Sequence, residues 1–384
     1  MRESMRRDLP ALTALRFFAA TAVVFFHFVR WRFDAHGFFR RFFSCGFLAV
    51  GLFFVLSGFI LTYAHDGESF ALAASRRRFW LHRFARIYPV YVLGMISGAV
   101  VASRLCWVRA SDFASFGGAL RMLALILVMP GLSHKTMFLF NWAAWSLTCE
   151  TIFYALFPWI IPRFRSMSTR ALILLAAVLS AITWIAPAIY SALDPDGLGR
   201  ALRLGDELVV WGHYLKFFPL FHAHEFVWGI AACTAWMRNR AILSEVSRHA
   251  ATAVVLACTA LACAVAYALV DRAYLFLHSG LLAPIFAVLV AALAEGGGGA
   301  LRGLALRPIV LLGHASYATY MIHVPLYLWM ENDVAGKIGK LATCAIYLGV
   351  LPMVSFAIFY GWERPLQRAL TEKARVTSSR VCAS

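Results

Sequence analysis

Apolar runs close to twenty residues long recur from one end of the chain to the other, separated by short polar stretches. They fall at 11–30, 46–64, 86–103, 143–162, 170–190, 214–236, 250–270, 274–294, 307–330 and 341–362. Each is long enough to cross about 30 Å of hydrocarbon as an α-helix. The runs are apolar on every side and lack the period-two alternation of a barrel strand. Lipid offers no partner to a backbone N–H or C=O, so each segment must satisfy its own, and the pattern predicts helices. The expected fold is all-α: a polytopic transmembrane bundle of about ten spans. One further apolar piece, 119–131, ends at Pro130-Gly131 and is too short for an untilted crossing.

The placement of positive charge decides how that short piece is read. Put the N-terminus inside, and the loop with Arg76, Arg77, Arg78, Arg83 and Arg86 is inside too. If 119–131 does not cross, so are Arg163, Arg165 and Arg170, then Arg238, Arg240 and Arg248, then Arg302 and Arg307, then the tail with Arg364, Arg368, Lys373 and Arg375. The acidic Asp194, Asp196, Asp206 and Glu207 then fall outside. A crossing at 119–131 would invert every later loop, against the positive-inside bias. The expectation is therefore ten spans, both termini cytoplasmic, in a cell inner membrane, with 119–131 re-entrant or interfacial. One loop runs against the bias: Arg30, Arg32, Arg40 and Arg41 lie outside in this arrangement.

Composition supports the same class. Of 384 residues, 61% are hydrophobic and 14% charged, against about 45–50% and 25% in soluble domains. The net charge of +17 would suggest nucleic acid on a soluble protein. Here the arginines sit in short loops between apolar runs, and no nucleic-acid partner is expected. The eight cysteines form no C-x-x-C pair and mostly lie inside apolar runs, so they read as small core residues, with no metal framework and no disulfide. The start, with Arg2, Arg6 and Arg7 before an apolar run, looks like a secretion signal. That run contains Arg16 and His27 and no small-residue cleavage site, so it reads as a retained first span. No internal repeat and no second soluble domain is visible. The membrane domain is expected over 1–370, Gly296 to Gly299 as a flexible connector, and 371–384 as a disordered cytoplasmic tail.

Ionisable residues inside a span are costly and tend to mark a pathway or site. Arg16 and His27 are eleven residues apart; on an α-helix that returns to within about 20° of the same face with a rise of about 16 Å. Both then look into one groove, unless Arg16 snorkels at a helix end and His27 is a hydrogen-bonded core residue. Arg83 and Arg86, at i and i+3, share a helix face and suit bidentate phosphate binding, or set topology, or both. Glu150, in Trp145-Ser146-Leu147-Thr148-Cys149-Glu150, lies near the depth of His27. It would fix that imidazole's tautomer and raise its basicity; a structural pair with an arginine is the competing reading. Ser316, Tyr317 and His323 are candidates to line the same cavity. His222-Ala223-His224-Glu225 does not put both rings on one helix face, and no metal is expected there. Ser57-Gly58 reads as close helix packing rather than a nucleophile. No His is followed by Asp at i+4 or i+5, and neither a G-x-S-x-G elbow nor a phosphate-binding glycine loop is present.

Together these segments resemble the acyltransferase-3 family of integral membrane acyltransferases, typified by bacterial O-antigen and exopolysaccharide acetylases. Arg16 to His27 matches its R/K-x10-H signature, and Phe53 to Phe59 is similar to its FFVLSGF element. Arg83 to Arg86 with Ile87-Tyr88-Pro89 resembles R-x-x-R-I-x-P, and Trp145 to Tyr154 resembles W-S-L-x-x-E-x-x-F-Y. Phe221 to Gly229 resembles P-E-F-x-x-G, Ser316 to Pro325 resembles S-Y-x-x-Y-x-x-H-x-P, and Glu363-Arg364-Pro365 resembles E-x-P. The order is right and the matches span nearly the whole chain. Two positions depart from the pattern. Gly51 stands where an Asp or Ser is usual, and His224 where a Pro precedes the glutamate; both put acceptor geometry in question.

The resemblance implies an inner-membrane enzyme that takes an acyl group, commonly acetyl, from cytoplasmic acyl-CoA to a hydroxyl on a glycan or lipid-linked saccharide. The donor would be a substrate; no permanently bound cofactor is expected. His27 would be the essential imidazole, oriented by Glu150, with Arg16, Arg83 and Arg86 handling the CoA phosphates or the donor arm. Direct transfer and an acyl-imidazole intermediate are both compatible with these residues. Some relatives carry an appended hydrolase-like domain; without one, transfer is expected to finish in the membrane domain. A transporter or flippase would use the same buried Arg and His, but would show inverted repeats or paired broken helices, and neither is visible. A non-catalytic membrane scaffold would tolerate alanine at His27.

Overall fold

The computed structural model describes residues 9–33, 37–194, 210–240, 248–296 and 299–381. Among them every regular element is helical. Among the described residues seven helices are long and apolar enough to cross a membrane: Pro10–Arg32, Phe38–Ala64, Ala73–Arg104, Thr169–Leu193, His249–Leu269, Tyr274–Glu295 and Lys340–Glu372. The interrupted pair Arg307–His314 and Ser316–Asp333 makes an eighth when taken as one span. The chain is a multi-pass membrane protein.

The other two expected spans are helical but imperfect, so the count of ten is approximate. Trp145–Ser166 carries Glu150, Arg163 and Arg165 within its length. The 214–236 run divides into Val210–Phe217, Pro219–His222 and Ala223–Arg238. The break lies at Phe218, held extended at φ −76° and ψ 134°, because a residue before proline is pushed out of the helical region.

Three boundaries differ from the apolar pattern. The Ala73–Arg104 helix starts thirteen residues before the apolar run at 86, so Arg76, Arg77, Arg78, Arg83 and Arg86 stand on a helix and not in a loop. Alanine, leucine and arginine are good helix formers, and hydropathy does not report where a helix leaves the lipid. The 119–131 piece forms the helix Phe116–Ile126, started by Ser115, whose hydroxyl accepts from the Gly118 N–H at 3.1 Å. Its eleven residues rise only about 16 Å, half the hydrocarbon thickness. The last helix runs Arg364–Val381, into the segment 371–384 expected to be without structure; residues 382–384 lie outside the described residues. So do Asp196, Asp206 and Glu207, and the centre of the Gly296 to Gly299 connector.

The chain packs as two compact units, Met1–Glu68 with Arg163–His314, and Ser69–Pro162 with Ala315–Ser384. In the first, the Leu48–Ala64 helix crosses Ala223–Arg238. The crossing rests on two glycines: a Cβ at Gly58 would collide with the Phe226 carbonyl oxygen, and one at Gly229 with that of Val55. Within lipid there is little hydrophobic drive between helices, so close backbone approach through small residues holds such pairs together. That is the packing role expected of Ser57-Gly58. The first helix packs on Leu48–Ala64 and on Arg307–His314, where Gly313 abuts the Thr13 carbonyl. Arg165 donates to the carbonyls of His65 and Glu68, and Arg238 to those of Met167 and Arg165, both at 2.8 Å.

In the second unit Ala73–Arg104 packs against Ser316–Asp333 and Arg364–Val381. Gly98 sits on the Phe140 carbonyl and Gly94 on Met321. Asn141 joins the same elements: its amide donates to Met321 O at 2.7 Å, and its carbonyl oxygen accepts from Ala143 N at 3.1 Å.

Candidate functional site

The candidate residues fall in both units. Arg16 and His27 belong to the first; Arg83, Arg86, Glu150, Ser316, Tyr317 and His323 belong to the second. Each set is described within its own unit.

Arg16 and His27 are half-buried on the first helix. The helix is regular through Val24 and then widens into a π-helical turn, Phe25–Val29, that contains His27. Such a turn inserts extra backbone into the α repeat and recurs at functional sites. It also makes the phase from Arg16 to His27 depart from a uniform step. The imidazole lies between Phe26 and Phe28, with ring centroids 5.0 and 5.7 Å away.

In the second unit Arg83 and Arg86 share one face of Ala73–Arg104 and meet aromatic rings from two other helices. The Arg83 guanidinium carbon is 5.9 Å from the Tyr154 ring centroid and 5.9 Å from that of Phe79. Glu150 lies within electrostatic reach of Arg83. Arg83 Nε is buried and has no hydrogen-bond partner among the described residues. Arg86 is placed differently. Its Nη1 donates to Glu363 Oε1 in an ion pair whose carboxylate side chain is fully buried, and its guanidinium carbon is 5.8 Å from the Tyr317 ring. Glu363 closes a second π-helical turn, Phe359–Glu363. The same turn supplies Trp362, whose indole N–H donates to Pro89 O at 2.9 Å.

Tyr317 and the residues after it divide into two roles. The Tyr317 hydroxyl donates to Ile87 O at 2.8 Å, tying Ser316–Asp333 to the arginine-bearing helix. Ser316 is buried, and its Oγ has no hydrogen-bond partner among the described residues. His323 is fully buried. Its Nδ1 donates to Tyr320 O at 2.6 Å, while its carbonyl accepts from the Tyr347 hydroxyl at 3.1 Å. Those bonds are of the kind that fix helix packing.

Glu150 stands early in Trp145–Ser166, and the start of that helix is firmly held. Ser146 Oγ and the Tyr320 hydroxyl share a hydrogen bond of 2.8 Å, and Thr148 Oγ1 accepts from Gly131 N at 2.8 Å. The carboxylate is half-buried and within electrostatic reach of Arg83, Tyr317 and Tyr320.

Two site features escaped the residue pattern. Glu363 is separated from Arg86 by 277 positions, and its only signal was the E-x-P element. The other is a buried polar cluster in the first unit. His222 Nδ1 is 2.9 Å from Glu225 Oε2 and its Nε2 is 2.8 Å from Lys216 O. His224 turns to Ser180 Oγ and Ser279 O, at 2.9 and 3.0 Å. The two rings therefore go to different partners. Gly51 faces the Glu225 carboxylate so closely that a Cβ there would strike Oε1; the side chain absent at Gly51 leaves that space to Glu225.

Comparison with known proteins bears on all of this. A family profile described as an acyltransferase domain matches residues 9–362. Acyltransferase MdmB of Streptomyces mycarofaciens is 28% identical over 387 residues, covering 97% of this chain and 95% of that one. A Bacillus subtilis (strain 168) protein named "Putative peptidoglycan O-acetyltransferase YrhL" is 26% identical over 348 residues, covering 83% of this chain; the match spans 49% of that protein. No solved structure matches.

Proposed function

The chain belongs to the acyltransferase-3 family and is a membrane acyltransferase, and from that premise we propose that it moves an acyl group, acetyl in the expected case, from cytoplasmic acyl-CoA to a hydroxyl of a glycan or other carbohydrate-type acceptor. The observation that carries the reading is the pair Arg83 and Arg86 on one helix face among aromatic rings, with Arg83 Nε unpartnered. Two guanidinium forks in a partly desolvated setting are suited to the phosphates of CoA. The name of the Bacillus relative favours an acetyl group and a glycan hydroxyl.

In the proposed mechanism Arg83 and Arg86 hold CoA phosphates, with Arg86 aimed by Glu363, and Arg16 steadies the pantetheine arm. His27, oriented by Glu150, removes the proton from the acceptor hydroxyl as its oxygen attacks the thioester carbonyl. The C–O bond forms, the carbonyl electrons pass onto oxygen and return, and the C–S bond breaks. The CoA sulfur leaves with the proton held by His27. The products are an oxygen ester and free CoA thiol, and no oxidant or metal enters the balance. The expected orientation puts both termini on the CoA side of an inner membrane.

The test is release of CoA thiol from acetyl-CoA by purified protein in nanodiscs, with a glycan-lipid extract as acceptor. His27→Ala should abolish release while its thermal unfolding matches wild type. Equal release by His27→Ala overturns the role of His27. No release from wild type with any acyl-CoA overturns the donor and favours transport, to be sought as substrate flux.

A further inference from the structure

The loop that runs against the positive-inside bias has a structural counterpart. Arg30 ends the first helix, about one turn beyond His27 and at the opposite end from Arg16. It is only 6% exposed, and its Nε and Nη1 have no hydrogen-bond partner among the described residues. Its guanidinium carbon lies 4.1 Å from the Phe26 ring and 4.4 Å from that of Trp31. Arg40 covers the same indole at 4.1 Å. Ring faces attract a cation but do not accept the in-plane N–H bonds of a guanidinium.

A second buried cation lies in the same region. Lys216 is 8% exposed, with Nζ 5.0 Å from the Tyr274 ring and 5.2 Å from that of Phe217. Tyr274 is also within electrostatic reach of Arg30, and Phe47 joins it to Phe26, with ring centroids 4.9 and 5.6 Å apart. Two buried cations thus flank one aromatic floor. Asp271 is taken by Arg41 at 3.2 Å. A buried guanidinium with unpartnered nitrogens is stabilised when an anion meets it with hydrogen bonds. The Trp31 indole, which Arg30 and Arg40 both cover, is 49% exposed.

We propose that Arg30, with Lys216 across Tyr274, forms an anion-binding subsite for the acyl acceptor, so that the acceptor carries a carboxylate or phosphate about one helical turn from the hydroxyl presented to His27. The inference deepens the reading above and rests on it. It also gives the exceptional basic loop a task, because an anionic saccharide would be drawn to the end of the first helix remote from Arg16.

The experiment uses the full chain in nanodiscs of phosphatidylcholine alone, with acetyl-CoA and matched acceptors: glucuronic acid against glucose, and glucose 1-phosphate against methyl glucoside. Wild type should favour the anionic member of each pair by about tenfold or more in kcat/KM, the worth of one charge-assisted hydrogen-bonded contact. Arg30→Gln should erase that ratio, and Arg30→Lys should keep part of it. Lys216→Gln, an independent variant, should lower it. A merely structural Arg30 would lower both rates and leave the ratio intact, which overturns the proposal, as does a wild type without preference. Adding phosphatidylglycerol separates the two anion sources. If it abolishes the preference in wild type, the subsite serves lipid headgroups and the acceptor assignment fails. Equilibrium binding of labelled glucose 1-phosphate without acyl-CoA stands apart from chemistry. Binding lost in Arg30→Gln upholds the subsite even if no thiol is ever released, and a wild type that binds none overturns it.

Discussion

Arg86 and Glu363 offer a perturbation whose size follows from their burial. The carboxylate side chain is 0% exposed and the arginine 22% exposed. Removing one partner of a buried pair costs about 3–5 kcal/mol, because the other charge is left uncompensated. In Glu363→Gln the stranded group is Arg86, which keeps a route to water, so about 3 kcal/mol is expected. In Arg86→Met the fully buried carboxylate loses its arginine, and the cost should be the larger of the two. Replacing both, as Arg86→Met with Glu363→Leu, removes both desolvation costs and should recover most of the loss, for a coupling of about 5–7 kcal/mol. Thermal unfolding in one detergent at one scan rate reads this out. At about 2–3 °C per kcal/mol for a chain of this size, Glu363→Gln should fall by about 6–9 °C, Arg86→Met further, and the double variant should lie within a few degrees of wild type. Single variants that unfold with wild type, or a double variant whose loss is the sum of the two, would refute the buried pair as the tie between the Phe359–Glu363 turn and the arginine-bearing helix.

Three further outcomes follow from other elements. Arg83→Gln should raise KM for acetyl-CoA about tenfold or more with kcat nearly kept, since it removes binding shared by ground and transition states; a lowered kcat at constant KM would move Arg83 from donor binding to chemistry. Gly229→Ala should cost about 1–3 kcal/mol by forcing apart the crossing with Leu48–Ala64, read as a lower unfolding temperature, whereas Gly303→Ala, where a Cβ meets open space, should unfold with wild type. Cysteines introduced at position 78 and at position 271 should react with a membrane-impermeant maleimide from opposite sides of sealed vesicles; labelling from one side would overturn the proposed orientation.

The spans were legible because lipid makes apolar length nearly sufficient evidence for a helix. Arg16, His27, Arg83 and Arg86 stood out because a charge in or beside such a run is costly. Hydropathy failed at Ala73–Arg104, whose polar first turns are as helical as its apolar ones, and at Phe218, where one proline divides a run that otherwise reads as continuous. The two π-helical turns have no marker in apolar spacing, yet they hold His27 and Glu363. The Arg86–Glu363 pair depends on two helices meeting, which no local pattern encodes. His222-Ala223-His224-Glu225 looked like an unsuccessful metal motif; its histidines are spoken for by Glu225, Ser180 and backbone carbonyls from other parts of the unit. Arg30 first appeared as a breach of charge bias, and its burial sets it apart from Arg32, Arg40 and Arg41.

The central claim is transfer, not thioester hydrolysis. The most direct measurement supplies acetyl-CoA labelled in the acetyl carbonyl to the protein in nanodiscs with glucuronic acid, and follows the label. Transfer predicts an alkali-labile oxygen ester on the saccharide, formed in step with free CoA and lost in His27→Ala. Label found only as free acetate, or left on CoA, would contradict it.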